Sequence, residues 1–299
     1  MRRVLLAALV AGAFAGAVAA PASASGPCSR SPGAGGTVSF RSHGRTRSAV
    51  VHVPAGAQTG ERLPVVIVLH GAGSTGEQME AYTGMSAVAD RELFLAVYPN
   101  AVAPHPFWNY YGSTHRADDV GFLRDLIDRI ERGRCVDPTR VYATGVSNGG
   151  GMTARIGCKL ADRLTAIAPV AGGYAHLPPC HPARPLSAME IHGTADTTVP
   201  YDGEGPDHAG SASGYVHWWV AHDGCSAHRS RRELFPGVIR FDWLQCDPGV
   251  RVAQVKIKGG THEWPGGTAT RRPPRSSFSA SWSVWRFFAK LQLAAPAGR

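Results

Sequence analysis

A tight strand-turn-helix at residues 140–151 constrains the fold more than any other stretch of the chain. The β-branched and aromatic run at 141–144 predicts a strand, Gly145-Val146-Ser147-Asn148-Gly149 predicts a sharp turn, and the residues from Met152 onward predict a helix. A serine at such a turn stands above the sheet edge on a strained backbone, as a nucleophile requires. An incidental glycine turn is the alternative in a chain with 36 glycines. The flanking strand and helix favour a nucleophile at Ser147.

Apolar runs elsewhere predict the sheet in which this turn lies. Residues 63–69 are apolar without interruption, which is typical of a strand covered on both faces in a parallel sheet. Partly alternating residues at 38–53 predict a leading antiparallel hairpin. Alternation of strands with helices predicts an α/β fold in one domain over residues 25–299. Further strands are predicted at 94–98, 164–171, 188–193, 240–243 and 252–257.

Two helices are predicted before the serine turn. Ser74-Thr75-Gly76-Glu77 has the spacing of a capping box and predicts one helix that continues through Ala89. Apolar residues recur at helical spacing from Val120 to Ile130, with Asp118 and Asp119 at the start. These two carboxylates are therefore interpreted as capping groups rather than catalytic acids.

The beginning of the chain predicts export. Met1-Arg2-Arg3 precedes an alanine-rich apolar run, and Ala22-Ser23-Ala24 provides a cleavage site, so residues 1–24 are interpreted as a secretory signal peptide. The apolar run is short for a membrane anchor. Pro27 before Cys28 disfavours a lipoprotein. We expect an extracellular protein with no stable membrane anchor.

Charge and cysteine content limit the partners further. The formal net charge is +9, which falls to +7 when the leader removes Arg2 and Arg3. The arginines are scattered and no aromatic-basic motif accompanies them, so nucleic acid is not expected as a partner. All six cysteines follow the leader, which predicts three disulfides among 15 possible connectivities. No closely spaced cysteine pair suggests zinc, and no metal is expected.

An acid and a base are predicted after two later strands. Asp196 lies in the glycine-containing loop that follows the apolar strand ending near His192. His262 lies in the glycine-rich loop after the last apolar strand, which distinguishes it from the other 12 histidines. The order serine, aspartate, histidine is that of the α/β-hydrolases. His262 would take the Ser147 proton, and Asp196 would fix the imidazole tautomer and stabilise its cation.

Two backbone N–H groups are the candidates for an oxyanion hole. The loop after the 63–69 strand, His70-Gly71-Ala72-Gly73, lies where one donor is expected, and the residue after the nucleophile supplies the other. We therefore predict the N–H groups of Ala72 and Asn148. An ordinary strand-to-helix turn is the alternative for the first of them.

Taken together, five motifs covering nearly all of the mature chain resemble the secreted polyhydroxybutyrate depolymerase-type esterases, a group that includes feruloyl and acetylxylan esterases. The resemblance implies an α/β-hydrolase fold with a mostly parallel central sheet flanked by helices on both faces. It also implies an ester substrate, no cofactor, and the roles given above for Ser147, Asp196 and His262. The motifs are Leu69-His70-Gly71-Ala72-Gly73, Asp118-Asp119-Val120-Gly121-Phe122, Gly145-Val146-Ser147-Asn148-Gly149-Gly150, His192-Gly193-Thr194-Ala195-Asp196 and Gly260-Thr261-His262-Glu263-Trp264-Pro265-Gly266.

The family pattern, together with proximity along adjoining elements, favours three disulfides: Cys158 with Cys180, Cys225 with Cys246, and Cys28 with Cys135. Two departures from the family pattern bear on substrate preference. Gly260-Thr261-His262-Glu263 replaces the commoner Gly-Gly-His-Thr around the base, and residues 271–275 form a basic, proline-containing insertion.

The substrate side of the cleft is assigned to aromatic residues and a histidine. Trp264 follows His262 by two residues, and Trp108 lies in the long aromatic loop 99–116, so both are expected to line the cleft together with His70. Two alternatives stay open: Trp264 packs under Pro265 as a support for the histidine loop, and the aromatic loop fills a satellite core.

The sequence thus predicts a secreted, monomeric serine ester hydrolase that cleaves short hydroxyacyl or related esters, including polymeric ones. A feruloyl or acetylxylan esterase acting on plant cell-wall polysaccharide is the alternative. A peptidase and a non-catalytic binding protein are weaker hypotheses, because a peptidase needs peptide-binding pockets and a binding protein need not retain all three triad residues.

Overall fold

The computed structural model describes residues 28–104, 106–204, 210–268 and 278–293. The predicted signal peptide and the basic insertion at Arg271 to Arg275 lie outside the described residues, as does His105 in the aromatic loop.

One sheet of ten strands runs through the described ranges, in the order β1-β2-β4-β3-β5-β6-β7-β10-β9-β8. Six adjacent strands, β4, β3, β5, β6, β7 and β10, are parallel to one another, and antiparallel strands flank them on both sides. The predicted mostly parallel α/β-hydrolase sheet is therefore confirmed. The strands are β1 Gly36–Ser42, β2 Arg45–His52, β3 Leu63–Leu69, β4 Leu95–Pro99, β5 Val136–Val146, β6 Ala166–Val170, β7 Ser187–Gly193, β8 Arg229–Phe235, β9 Val238–Trp243 and β10 Val252–Ile257.

Helices cover the sheet on both faces. Successive side chains of β3 alternate between two apolar clusters, with Val65 and Ile67 in one and Val66 and Val68 in the other. Apolar residues of α3, α4 and α5 belong to the first cluster, and those of α1, α2 and α6 belong to the second. The described helices are α1 Gly76–Thr83, α2 Met85–Glu92, α3 Asp119–Gly133, α4 Asn148–Lys159, α5 Ala212–His222 and α6 Ala280–Phe288.

One expectation about the elements was wrong, and one strand was not predicted. The single helix expected after Ser74 is two helices, because Gly84 adopts φ 62° and ends α1, and the capping box uses Thr75 and Gln78 rather than Ser74 and Glu77. Strand β8 was not expected, because its residues are charged and mostly exposed and show no apolar alternation. It forms the sheet edge by pairing with β9.

The three expected disulfides are present. Cys28 pairs with Cys135, Cys158 with Cys180, and Cys225 with Cys246, with Cα–Cα distances of 5.9, 5.5 and 3.6 Å. Within the described ranges, no helix combines the length and apolar character needed to cross a bilayer.

Candidate active site

Ser147 lies at the turn between β5 and α4 with φ 58° and ψ −121°, a conformation that non-glycine residues rarely adopt. The neighbouring glycines are sterically required. A Cβ on Gly145 would stand 2.6 Å from the Gly149 carbonyl oxygen, and a Cβ on Gly149 would stand 2.3 Å from the Leu69 carbonyl oxygen. The strained turn is therefore possible only because β5, α4 and β3 approach one another without side chains between them.

Asp196 and His262 lie at the same end of the sheet as Ser147, where the parallel strands have their carboxyl ends. Strands β5, β6, β7 and β10 are parallel, so their carboxyl ends lie together, and the loops after β7 and β10 carry the two residues. These loops touch, since Ala195 N–H donates to the Gly260 carbonyl at 2.8 Å. His262 Nδ1 lies 2.8 Å from Asp196 Oδ2. The geometry suits an aspartate that orients an imidazole, leaving Nε2 for proton transfer.

Asp196 is buried and fully engaged by hydrogen-bond donors. Its Oδ1 accepts the N–H groups of Thr198 and Val199 at 2.9 and 2.8 Å, while Oδ2 faces His262 and also His192, at 3.3 Å. Burial raises the pKa of Asp196, but hydrogen bonds from His192, His262 and Val199 outweigh it and hold the pKa well below its usual range. The carboxylate therefore stays ionised beside His262.

Sequence reasoning missed two residues that belong to this network, His192 and Glu190. Both lie on β7 with fully buried side chains, and His192 Nδ1 is 2.9 Å from Glu190 Oε1. The available signal was two ionisable residues at alternate positions in an otherwise apolar strand, because such residues must be paired when buried.

The two backbone N–H groups predicted to form the oxyanion hole have no hydrogen-bond acceptor among the described residues. Neither Ala72 N–H nor Asn148 N–H donates a hydrogen bond to any residue that the structure describes. The Asn148 side chain holds the neighbouring loop, because its Oδ1 accepts the Trp108 N–H at 2.7 Å and its Nδ2 donates to the Trp108 carbonyl at 3.1 Å. Trp108 Nε1 in turn donates to the His70 carbonyl at 3.0 Å. The loop before Ala72 is thus fixed relative to the turn that carries Ser147.

The residues expected to bind substrate are instead enclosed in the protein. Trp264, Trp108 and His70 each have 0% of their surface exposed. Trp264 Nε1 donates to Ser281 Oγ, and His70 Nε2 accepts the Ala101 N–H at 3.1 Å, which fits burial lowering the pKa of His70. The expectation that these three side chains line the cleft was wrong for this structure, because apolar packing and internal hydrogen bonds use the surfaces that a substrate would need. One alternative stated above was that Trp264 packs as a support for the histidine loop, and its burial fits that alternative.

The aromatic loop fills space against the core and reaches the nucleophile turn. Tyr110 is 7% exposed, and its ring occupies the room that the absent side chains of Gly151 and Gly173 leave. Gly173 N–H donates to the Ser147 carbonyl at 3.4 Å. Phe107 and Tyr111 stack at 5.9 Å and are only partly buried. These two rings provide the aromatic surface near the turn. The sequence prediction had assigned that surface to Trp108.

A cavity of about 320 Å³ between α4 and α5 stands apart from the triad residues. Its lining includes Tyr174, Tyr215 and Trp218 but not Ser147, Asp196 or His262. Tyr174 stacks on Tyr215 at 4.1 Å, and its hydroxyl lies 3.4 Å from Glu190 Oε1. The Tyr174 ring is therefore shared by the cavity wall and the network behind Asp196.

Comparison with known proteins finds esterases. The family model described as "Esterase PHB depolymerase" matches residues 47–198, which is about half of the chain. The NocK protein of Nocardia uniformis subsp. tsuyamanensis, whose name assigns it to the esterases, is 32% identical over 83% of this chain and 80% of its own length. Feruloyl esterase B of Piromyces equi is 33% identical over 72% of this chain, which spans only 42% of that larger protein.

Solved structures share the fold at low sequence identity. An acetyl xylan esterase from Aspergillus awamori superposes with a TM-score of 0.64 at 12% identity, over 86% of this chain and all of the other. A ferulic acid esterase from Anaeromyces mucronatus superposes with a TM-score of 0.57 at 16% identity, over 88% of this chain and 91% of the other. The chain is a carboxylic ester hydrolase with the α/β-hydrolase fold, and it belongs to the esterase PHB depolymerase family.

Proposed function

We propose that the mature chain is a secreted serine esterase that cleaves short hydroxyacyl or related esters through an acyl-enzyme on Ser147. The observation that carries the proposal is the buried Asp196 in contact with His262, at the carboxyl end of the parallel strands where Ser147 lies on its strained turn. The three disulfides support an oxidising, extracellular compartment.

Acylation uses the three residues in turn. His262 Nε2 removes the proton as Ser147 Oγ bonds to the ester carbonyl carbon, and the resulting oxyanion accepts the N–H groups of Ala72 and Asn148. The tetrahedral intermediate collapses when the carbon–alkoxide bond breaks and His262 returns the proton to the leaving alcohol. Asp196 stabilises the imidazolium during both transfers.

Deacylation repeats the sequence with water. His262 deprotonates the water that attacks the acyl carbonyl, the same N–H groups hold the oxyanion, and Ser147 leaves with the proton from His262. The products are a carboxylic acid and regenerated enzyme. No step requires a group beyond the residues named and water.

A feruloyl or acetylxylan esterase is the second candidate. The names of several relatives support it, as does the stacked, partly exposed pair Phe107 and Tyr111 close to the nucleophile turn. Aromatic surface near the acyl carbon would favour a flat phenolic acyl group through stacking.

The test is a substrate panel with a matched inactive variant. The mature protein would be assayed on p-nitrophenyl acetate and butyrate, hydroxybutyrate oligomers, methyl ferulate and acetylated xylan. Ser147→Ala should lose at least about 10³-fold in kcat and lose covalent labelling by an organophosphonate, because the nucleophile is removed at almost constant volume. Labelling that persists in this variant would place the nucleophile elsewhere. A preference for methyl ferulate over the hydroxybutyrate oligomers would select the second candidate.

A further inference from the structure

His192 and Glu190 form a buried polar pair that the reaction scheme leaves without a role. Both point to the same face of β7, since they are two residues apart on a strand. Glu190 is 0% exposed and His192 is 1% exposed. Ionisable groups so completely buried are costly unless they compensate one another, so their partners indicate their function.

The contacts of His192 require a proton on Nε2. This nitrogen lies 2.9 Å from the Val199 carbonyl oxygen and 3.3 Å from Asp196 Oδ2. A carbonyl oxygen can only accept, and the Asp196 carboxylate already receives donors on both oxygens. Nε2 must therefore be the donor.

The contacts of Glu190 are compatible with a second proton on Nδ1 of His192. Glu190 Oε2 accepts from Gln254 Nε2 at 3.2 Å, and Oε1 faces the Tyr174 hydroxyl at 3.4 Å and His192 Nδ1 at 2.9 Å. All three partners can donate to a carboxylate at this position. With a carboxylate at Glu190, both ring nitrogens of His192 carry hydrogen, and the ring is an imidazolium between two carboxylates.

Electrostatics agree with this protonation state. Burial lowers the pKa of His192, but hydrogen bonds with Asp196 and Glu190 outweigh burial and raise it to about 10. Other titratable groups near the ring are Tyr201, whose ring stands edge-on at 5.9 Å, and Lys256, which lies over the Tyr201 ring. Asp202 and Glu190 add negative potential at Tyr201. The acids nearest His192 favour its cation.

The charge balance indicates a role for the pair of His192 and Glu190. Without a cation between them, the carboxylates of Glu190 and Asp196 would be two buried like charges, which is a costly arrangement. With the cation present, Glu190 is neutralised and Asp196 keeps the negative charge that faces His262.

We propose that His192 is a positioning residue for the triad, a cation held by Glu190 that keeps Asp196 ionised and fixes its Oδ2 against His262 Nδ1. This role rests on the function proposed above for Asp196 and His262. His192 acts through Asp196 and has no contact with the reacting atoms in this scheme.

The first test measures protonation directly in the folded wild-type protein. Nitrogen-15 NMR of histidine-labelled enzyme, with His192 identified by its loss in His192→Gln, should show both ring nitrogens protonated from pH 6 to pH 8. In Glu190→Gln the deprotonation of His192 should move to lower pH, because a carboxylate partner is lost. An unprotonated ring nitrogen at pH 7 in the wild-type enzyme would overturn the proposal, whether or not a substrate is found.

The second test separates positioning from a merely structural role. His192→Gln should lower kcat for p-nitrophenyl acetate about 10- to 100-fold with KM within about twofold, as expected when only the transition state loses stabilisation. The acidic limb of the kcat/KM profile should move to higher pH by about one unit, because removal of a nearby cation makes the Asp196–His262 pair easier to protonate.

The matched control is Thr197→Ala, which alters an exposed side chain in the same loop and leaves the backbone donors to Asp196, Thr198 and Val199, in place. It should leave both kcat and the acidic limb unchanged. A folded His192→Gln enzyme whose acidic limb stays at the wild-type pH would refute the positioning role. If no variant and no wild-type preparation hydrolyses any ester, the proposed function fails, and the NMR result still decides the state of His192.

Discussion

Trp264 lies two residues after the candidate base, and the core encloses its indole ring. Its backbone N–H donates to the Tyr82 hydroxyl at 2.7 Å, and its Nε1 donates to Ser281 Oγ at 3.0 Å. Ser281 Oγ in turn donates to the Thr83 carbonyl at 2.7 Å. The side chain therefore ties the His262 loop to α1 and α6, and it holds the base in place without facing substrate.

We expect Trp264→Phe to lower kcat for acetyl and aromatic esters by the same factor, about two- to tenfold, because the histidine loop loses one anchor while the cleft keeps its surface. Trp264→Ala should also reduce the free energy of unfolding by about 3–5 kcal/mol, as for other fully buried tryptophans. Kinetics on p-nitrophenyl acetate and methyl ferulate, with urea unfolding, would measure both effects.

The control for this prediction is Tyr111→Ala, which removes a partly exposed ring of the aromatic loop. It should raise KM for methyl ferulate more than for the acetyl ester if this surface binds acyl groups. A rise in KM confined to aromatic esters in Trp264→Phe would instead give Trp264 the binding role.

At the level of elements, one buried ion pair holds the aromatic loop to the sheet. Arg47 on β2 donates to Asp119 Oδ1 at 2.7 Å, and Asp119 Oδ2 accepts the Asn109 N–H at 2.8 Å. Both charged side chains are at least 97% buried. Asn109 adjoins Trp108, which Asn148 clamps. The pair thus links β2 and α3 to the loop beside the predicted oxyanion donors.

Asp119→Asn should cost about 3–5 kcal/mol of unfolding free energy, because it leaves the Arg47 guanidinium buried without its counter-charge. The double variant Arg47→Met with Asp119→Asn should be destabilised less than the sum of the two single variants, since it leaves no unpaired charge. Urea unfolding of the four proteins measures the coupling. Additive losses would show that the two charges stabilise the fold independently.

The elements that sequence could predict are those with one strong local signal. The unbroken apolar run of β3, the valine-rich segment of β10 and the glycines around Ser147 are such signals, and the structure has those elements where they were expected. The Asp118 cap was also foreseeable, since its Oδ1 accepts the Gly121 N–H at 2.8 Å. The ion pair of Asp119 was not foreseeable, because its partner Arg47 is 72 residues away and nothing in the local sequence marks the pair.

Burial of particular side chains was the part that sequence could not supply. Trp108 and Trp264 follow conspicuous motifs, but whether an aromatic ring faces a cleft or the core depends on packing among distant elements. The role of His192 was hidden for the same reason. Its place in β7 was predictable, whereas its contact with Asp196 depends on how the following loop turns back.

For the whole molecule, one buried acid makes stability depend on pH. Asp223 at the end of α5 is fully buried; its Oδ1 accepts the Leu186 N–H at 3.2 Å, while Oδ2 has no partner among the described residues. Burial, reinforced by the charge of Asp247, raises the pKa of Asp223 to about 7. Since the folded pKa exceeds the unfolded one, the protonated form stabilises the native state, and this contribution is lost as pH rises from about 4 to about 7.

Asp223→Asn should therefore be more stable than the wild-type protein at pH 8, by about 1.4 kcal/mol for each unit between the folded and unfolded pKa values. At pH 4 the two should differ little. Thermal unfolding across this pH range measures the difference.

Asp162→Asn is the control of opposite sign. The hydrogen bond from Arg124 lowers the pKa of Asp162, so loss of the Asp162 carboxylate should slightly destabilise the protein at pH 8. Equal pH dependence in Asp223→Asn and the wild-type protein would contradict the assignment.

Strand β8 has a consequence for behaviour at high concentration. Its outer edge has no neighbouring strand in the described sheet, and an open edge of this kind is a template for pairing with a second molecule. Exposed arginines occupy positions 229, 231 and 232 along it. Because arginine keeps its charge at every pH at which a protein stays folded, two such edges repel each other in acid and in alkali alike. This edge should resist aggregation through added strands even where the net charge of the protein approaches zero.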